Sequence, residues 1–167
     1  MKKSRLVLAA VTAGALAMAT NPLLAALGGS PQSTSLPITA NIQASCTVSA
    51  ATVAFGTYDP TGNSDQNGSI TIQCTKGTAA TISLDDGLHS AGRQMKHLTL
   101  ADELTYQLYS DNVGGTVWGS GGGGTAVAYA ATTSAPAILT VFGRIPAGQN
   151  NASVGDYSDT VAVTVTF

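Results

Sequence analysis

The 167-residue chain carries seven Lys and Arg against nine Asp and Glu, a formal net charge of −2, and only 10% of its residues are charged. Cations so few and so scattered make a poor partner for a phosphate backbone, which disfavours nucleic-acid binding. A hydrophobic fraction of 44% with abundant Gly, Thr, Ala and Val argues against a disordered chain and for an all-β extracellular one.

Met1-Lys2-Lys3-Ser4-Arg5 is a basic n-region, Leu6 to Leu16 is an apolar run broken only by Thr12 and Gly14, and Ala17-Met18-Ala19 offers an A-x-A site. That pattern reads as a secretory signal peptide over 1–19, cleaved after Ala19 or as late as Ala26, and too short to span a membrane. Lys2, Lys3 and Arg5 leave with it, so four cations face nine acids and the mature chain has a net charge of −5. No later run reaches the roughly 18 apolar residues of a membrane span, so no membrane insertion is expected. Residues 20–167 suit one domain with a core of its own. Cys46 and Cys74 travel into an oxidising compartment, which makes a disulfide the default and a metal pair the weaker alternative.

Residues 20–35, "TNPLLAALGGSPQSTS", read as a flexible head. In "LPITANIQASC" (36–46), Leu36, Ile38, Ala40, Ile42, Ala44 and Cys46 alternate with mostly polar residues, the pattern of a strand with one buried face. Pro37 lacks the N–H of a ladder bond and marks its start. A short apolar piece around Val53 and Phe55 precedes a polar loop with Pro60, Gly62 and Asn63 as breakers. "SITIQC" (69–74) turns Ile70, Ile72 and Cys74 inward, and "TISLDDG" (81–87) does the same with Ile82 and Leu84 before a Gly turn. "MKHLTLADEL" (95–104) is the best candidate for a helix, and only one turn of it. "LTYQLYSD" (104–111) puts Leu104, Tyr106 and Leu108 on one face. The Gly/Ala-rich stretch 118–137 reads as a long flexible loop. "ILTVFGRI" (138–145) is apolar on both faces and should lie centrally or under a covering segment. In "YSDTVAVTVTF" (157–167), Val161, Val163, Val165 and Phe167 share one face.

Six or seven short strands with polar turns point to a β-sandwich. Both cysteines share the parity of core-facing residues, as a bridge between two strands needs. The last strand runs to Phe167 with nothing after it to cover its edge, while one spare strand sits on an N-terminal tether. An apolar edge of that kind must be closed somehow, and strand addition between chains is the expected solution.

The ordered set "ASCTVSAATVAFGTY" (44–58), "ITIQCTKG" (70–77), "LDDG" (84–87), "RQM" (93–95), "LTYQLYSD" (104–111), "VWG" (117–119), "VFGRIPAGQ" (141–149) and "GDYSDTVAVTVTF" (155–167) resembles the spore coat protein U domain, found in subunits of archaic, Csu-type chaperone–usher pili. No single piece is specific; the order is. The resemblance implies an all-β fold: an incomplete immunoglobulin-like β-sandwich that lacks its last strand and is completed by a donated one. A periplasmic chaperone lends that strand, and at the outer-membrane usher the N-terminal extension of the next subunit displaces it. Leu36, Ile38, Ala40 and Ile42 are then the donor-strand side chains. Val161, Val163, Val165 and Phe167 form the groove-edge, chaperone-facing strand, and Cys46 and Cys74 match the family's disulfide. The organisation implied is a signal at 1–19, a head at 20–35, a donor strand at 36–45 and a pilin domain at 46–167.

Other chemistry is weakly signalled. "GSGGGG" (119–124) satisfies G-x-G-x-x-G, but no helix-capping signal follows it. Asp85-Asp86 and Asp102-Glu103 are adjacent pairs that point to opposite faces of a strand, so turn carboxylates outweigh a Ca²⁺ site or catalytic acids. His89 and His97 read as surface histidines without a third ligand. Trp118 reads as a core or strand-end residue more readily than as a sugar-stacking platform. The expected function is a non-catalytic structural subunit of a surface pilus, without cofactor or metal, exported through the periplasm and contributing to adhesion and biofilm formation. Its expected partners are neighbouring subunits, a periplasmic chaperone and an outer-membrane usher. The alternative is a monomeric secreted β-sandwich that binds a ligand such as carbohydrate and completes its own fold with 36–46.

Overall fold

The computed structural model describes residues 30–89, 92–120 and 123–167; the signal peptide expected over 1–19 lies outside them. The chain divides into two units, Met1–Thr39 and Ala40–Phe167. Of the first unit, residues 30–39 form neither strand nor helix, and all of them are exposed.

The second unit folds as strands β1 (Cys46–Ala51), β2 (Ser64–Cys74), β3 (Ala79–Leu84), β4 (Gln94–His97), β5 (Glu103–Thr105), β6 (Gln107–Tyr109), β7 (Val127–Ala130), β8 (Ala137–Ile145), β9 (Tyr157–Ser158) and β10 (Val163–Thr166). One layer is a four-stranded antiparallel sheet in the order β1-β2-β8-β6. The opposing layer holds two three-stranded sheets, β10-β3-β7 and β5-β4-β9. β9 lies antiparallel to β4, with Tyr157 opposite His97, and β10 antiparallel to β3, with Val163 opposite Leu84.

The period-2 pattern explains the core. Ile70, Ile72 and Cys74 of β2, Ile82 and Leu84 of β3, and Val141 and Ile145 of β8 are buried between the layers with Leu104, Tyr106, Leu108 and Trp118. Each large aliphatic side chain so buried contributes about 1.5–3 kcal/mol. β8 lies centrally, between β2 and β6, but only one of its apolar faces is covered: Val141 and Ile145 are buried, whereas Ile138 on the other face is 71% exposed. Cys46 stands opposite Cys74 in the β1–β2 register, and the two form a disulfide with Cα atoms 4.1 Å apart.

Within this chain the strand expected over 36–46 enters a ladder only at Cys46, and residues 30–45 are exposed throughout. Several other expectations are corrected. The helix candidate at 95–104 is strand, turn and strand, because Met95 pairs with Leu104 across β4 and β5. The single strand expected over 104–111 breaks at Tyr106, so that β5 joins one layer and β6 the other. The stretch 118–137 is not all loop, since β7 pairs with β3 inside it. His97 is only 8% exposed rather than a surface residue.

Candidate functional site

Both β1 and β10 are terminal strands of their sheets, and the outer edges they present flank an open groove. A cavity of about 310 Å³ lies there, with Ala50, Ala51, Val53 and Phe55 on one rim and Asp159, Thr160, Val161 and Val163 on the other. Its floor is the core itself, including Ile70, Leu84, Tyr106 and Val141. A wider hollow of about 740 Å³ shares Val53, Phe55, Met95 and Asp159 with it and extends between residues 52–58 and 152–159. The open groove explains why Val161, Val163 and Val165 point at the core yet stay only half-buried.

The β1-side rim is positioned by two glycines. A Cβ on Gly143 would lie 2.8 Å from side-chain atoms of both Val53 and Phe55, and one on Gly68 would lie 2.6 Å from Val53. Those missing side chains let the 52–55 segment settle onto the β2–β8 sheet, where Phe55 also packs on Tyr106 with ring centroids 6.3 Å apart.

The opposite rim is interrupted by a carboxylate. Asp159 has the same parity as Val161 and Val163, so it faces inward and is half-buried, and an acid drawn out of water needs partners. It finds the Tyr106 hydroxyl, which donates to Oδ2 at 2.6 Å, and the backbone N–H groups of Leu88 and Thr160, which donate to Oδ1 at 2.9 and 2.8 Å. Asp85 works from the neighbouring strand: its Oδ1 accepts from Ala162 N at 2.8 Å and from Gly87 N at 3.0 Å. Apart from the backbone bond from Asp85 N to Ala162 O at 3.1 Å, these side-chain bonds stand where a ladder would run across 159–162, and 157–167 is two strands rather than one. Burial, then the bond to Asp159, push the Tyr106 hydroxyl far above the ordinary tyrosine range.

Beneath this rim, Arg93 is 3% exposed. Its guanidinium donates to the carbonyl oxygens of Asp85, Leu108 and Trp118 and to Gln107 Oε1. It thereby ties together both layers and the backbone at Trp118. Burial pulls its pKa below the usual guanidinium value, opposed by Tyr106 and the carboxylates of Asp86, Asp85 and Asp159. Trp118 is 1% exposed and donates Nε1–H to Ile82 O at 3.0 Å, so it offers no platform to a sugar.

The predicted site residues fall in three places. Leu36, Ile38 and Ile42 are 83%, 89% and 81% exposed, and Ala40 is exposed between them. Val161 and Val163 line the groove, Val165 follows on the same face, and Phe167 lies past β10 and is 57% exposed. Cys46 and Cys74 are bonded to one another. Sequence reasoning missed the groove residues Ala50, Ala51, Met95, Tyr106 and Asp159. The signal available was Asp159, an acid at an inward position of an otherwise apolar alternation. Among the described residues, no group of three or more His, Cys, Asp or Glu could hold a metal, and no helix is long and apolar enough to cross a membrane.

A β-sandwich whose two sheets are open along one shared edge is an incomplete immunoglobulin-like domain, and the comparisons agree. The Spore Coat Protein U domain model matches residues 32–164, and the chain belongs to that family. Protein U of Myxococcus xanthus is 33% identical over 186 residues, covering 100% of both chains. Among solved structures, a chain of the CsuC–CsuE chaperone–tip adhesion subunit pre-assembly complex, from the archaic chaperone–usher Csu pili of Acinetobacter baumannii, is similar with a TM-score of 0.56 and 27% identity. That match covers 75% of this chain and 40% of the other, so this chain spans well under half of that neighbour's length.

Proposed function

We propose that this protein is a structural subunit of an archaic chaperone–usher pilus, joined to its neighbours by donor-strand exchange and carrying out no catalysis. The observation that carries this reading is the apolar groove between Ala50–Phe55 and Asp159–Val163, flanked by two terminal strands and open to the core. A strand laid there would pair with backbone edges and place alternate side chains on Ile70, Leu84 and Tyr106.

The donor is the segment 36–45 of another copy or a related subunit, with Leu36, Ile38, Ala40 and Ile42 entering the groove. Transfer of three large exposed side chains, Leu36, Ile38 and Ile42, from water is worth about 1.5–3 kcal/mol each. Each main-chain hydrogen bond gained adds roughly 1 kcal/mol. Val161 and Val163 form the rim that meets the donor, with Val165 and Phe167 continuing it toward the chaperone. Before polymerisation a periplasmic chaperone fills the groove, and an outer-membrane usher exchanges its strand for the next subunit's. The route runs from secretion through the periplasm to the cell surface, where the fibre supports adhesion and biofilm formation.

The reading is tested by giving a variant starting at Ser45, which has no donor segment of its own, a synthetic peptide spanning 33–44. Capture that survives dilution, and that is lost when Ile38 and Ile42 of the peptide are replaced by Asp, supports it. Equal binding of the Asp-substituted peptide contradicts it.

A further inference from the structure

His97 ends β4 with its ring turned into the protein, 8% exposed. Its Nδ1 accepts hydrogen bonds from two backbone donors, Thr99 N at 3.1 Å and Leu100 N at 3.0 Å. Its Nε2 lies 3.3 Å from the carbonyl oxygen of Val154. A carbonyl only accepts, so the ring proton belongs on Nε2 and Nδ1 is bare. The ring also meets Tyr157 edge-on, with centroids 5.0 Å apart at 89°. Gly155, at φ +151°, passes so close that any side chain there would collide with the imidazole.

The segment that His97 grips is a wall of the groove. Residues 152–159 line the wider hollow opposite 52–58. Two other bonds hold the same segment: Tyr157 OH donates to Ser153 O at 2.9 Å, and Ser153 N donates to Asp102 Oδ2 at 3.2 Å.

We propose that His97 is a proton-operated latch that positions the 152–157 wall and so sets the fit of a strand at the wide end of the groove, a proposal that rests on the groove reading given above. Imidazole is the side chain that ordinarily changes charge between about pH 5 and 8. A second ring proton must go on Nδ1, and it cannot coexist with two N–H donors aimed at that atom. The ring then has to leave Thr99 and Leu100, and in turning it gives up the Val154 carbonyl and the edge of Tyr157. The charged and titratable groups on the surrounding segments are Lys96 of β4, Asp102 of the turn, Glu103 of β5, and Asp156 and Tyr157 of the wall; the carbonyls of Asp102 and Asp156 accept from His97 N and Leu98 N. Proton uptake therefore loosens this wall and leaves the β2–β8 sheet intact. The wide end grips at neutral pH and slackens in acid.

The test uses the mature chain, with the peptide arms run on the variant starting at Ser45 so that no neighbour's segment fills the groove. Nitrogen-15 NMR at pH 7.5 should show His97 with Nδ1 unprotonated. Amide hydrogen exchange, corrected for the intrinsic pH dependence, should show the protection of Thr99 and Leu100 falling at least tenfold between pH 7.5 and 5.0, with 152–157 loosening alongside. In His97→Asn the amide oxygen can take the place of Nδ1 but cannot be protonated, so protection should be the same at both pH values. A peptide of residues 33–44 should leave the wild type several-fold faster at pH 5.0 and leave His97→Asn at an unchanged rate. Protection of Thr99 and Leu100 that does not change with pH in the wild type, an equal loss in His97→Asn, or a protonated Nδ1 at pH 7.5 overturns the latch. A peptide captured at neither pH overturns the groove reading, and the coupling with it, whatever the exchange data show.

Discussion

The Tyr106 hydroxyl donates a 2.6 Å hydrogen bond to Asp159 Oδ2 and joins the floor of the groove to its rim. One partner comes from the point where the chain passes between layers, and the other from the break between β9 and β10. Tyr106→Phe leaves Asp159 with two backbone donors, so it should cost about 1–2 kcal/mol in urea unfolding at pH 7. The pH dependence has a definite sign. The folded-state pKa of Tyr106 is raised, mainly by burial. Its contribution is therefore fully present below the ordinary tyrosine value of about 10 and is lost as the pH rises above it. Tyr106→Phe should flatten that alkaline decline.

Arg93 is the second structural hinge of the groove. Its fork reaches three carbonyls and the Gln107 side chain, a pattern that a lysine ammonium cannot reproduce. Arg93→Lys should destabilise the domain by about 2–3 kcal/mol, measured as a lower denaturant midpoint. A midpoint unchanged within error would mean that these acceptors find other partners.

The bridge between Cys46 and Cys74 closes a loop with a sequence separation of 28. In the chain-entropy model that is worth about 3–4 kcal/mol. The double variant Cys46→Ser, Cys74→Ser should lose that much in equilibrium unfolding. Reduction of the native protein should lower its melting temperature to match.

Much of the fold can be read from alternation alone. Ile70, Ile72 and Cys74, Ile82 and Leu84, and Leu104, Tyr106 and Leu108 all face the core as their spacing requires. Tyr106 was placed on the correct face, but alternation cannot say that β5 and β6 belong to different layers, because that depends on partners distant in the chain. β1 is hard to read because alternation there has little contrast: Cys46 is half-buried, Val48 is 40% exposed, and Ala50 and Ala51 at the groove are small and exposed. His97 was misplaced for a local reason: it shares parity with Met95 in β4, which a helix-like reading of 95–104 obscured. The groove itself arises from an absence of pairing, and a single chain's pattern marks such a place only indirectly, through Asp159 among valines and through an apolar alternation whose residues 36–45 find no ladder in this chain.

The central claim is tested most directly by size-exclusion chromatography with light scattering on mature protein and on a variant starting at Ser45, each prepared with and without the periplasmic chaperone. The account predicts that the mature protein forms heat-resistant oligomers or a 1:1 chaperone complex. It also predicts that the truncated form cannot polymerise and instead captures a peptide of residues 33–44. A stable mature monomer, unfolded rather than merely depolymerised by the truncation, would contradict it and place Leu36, Ile38 and Ile42 in the chain's own core.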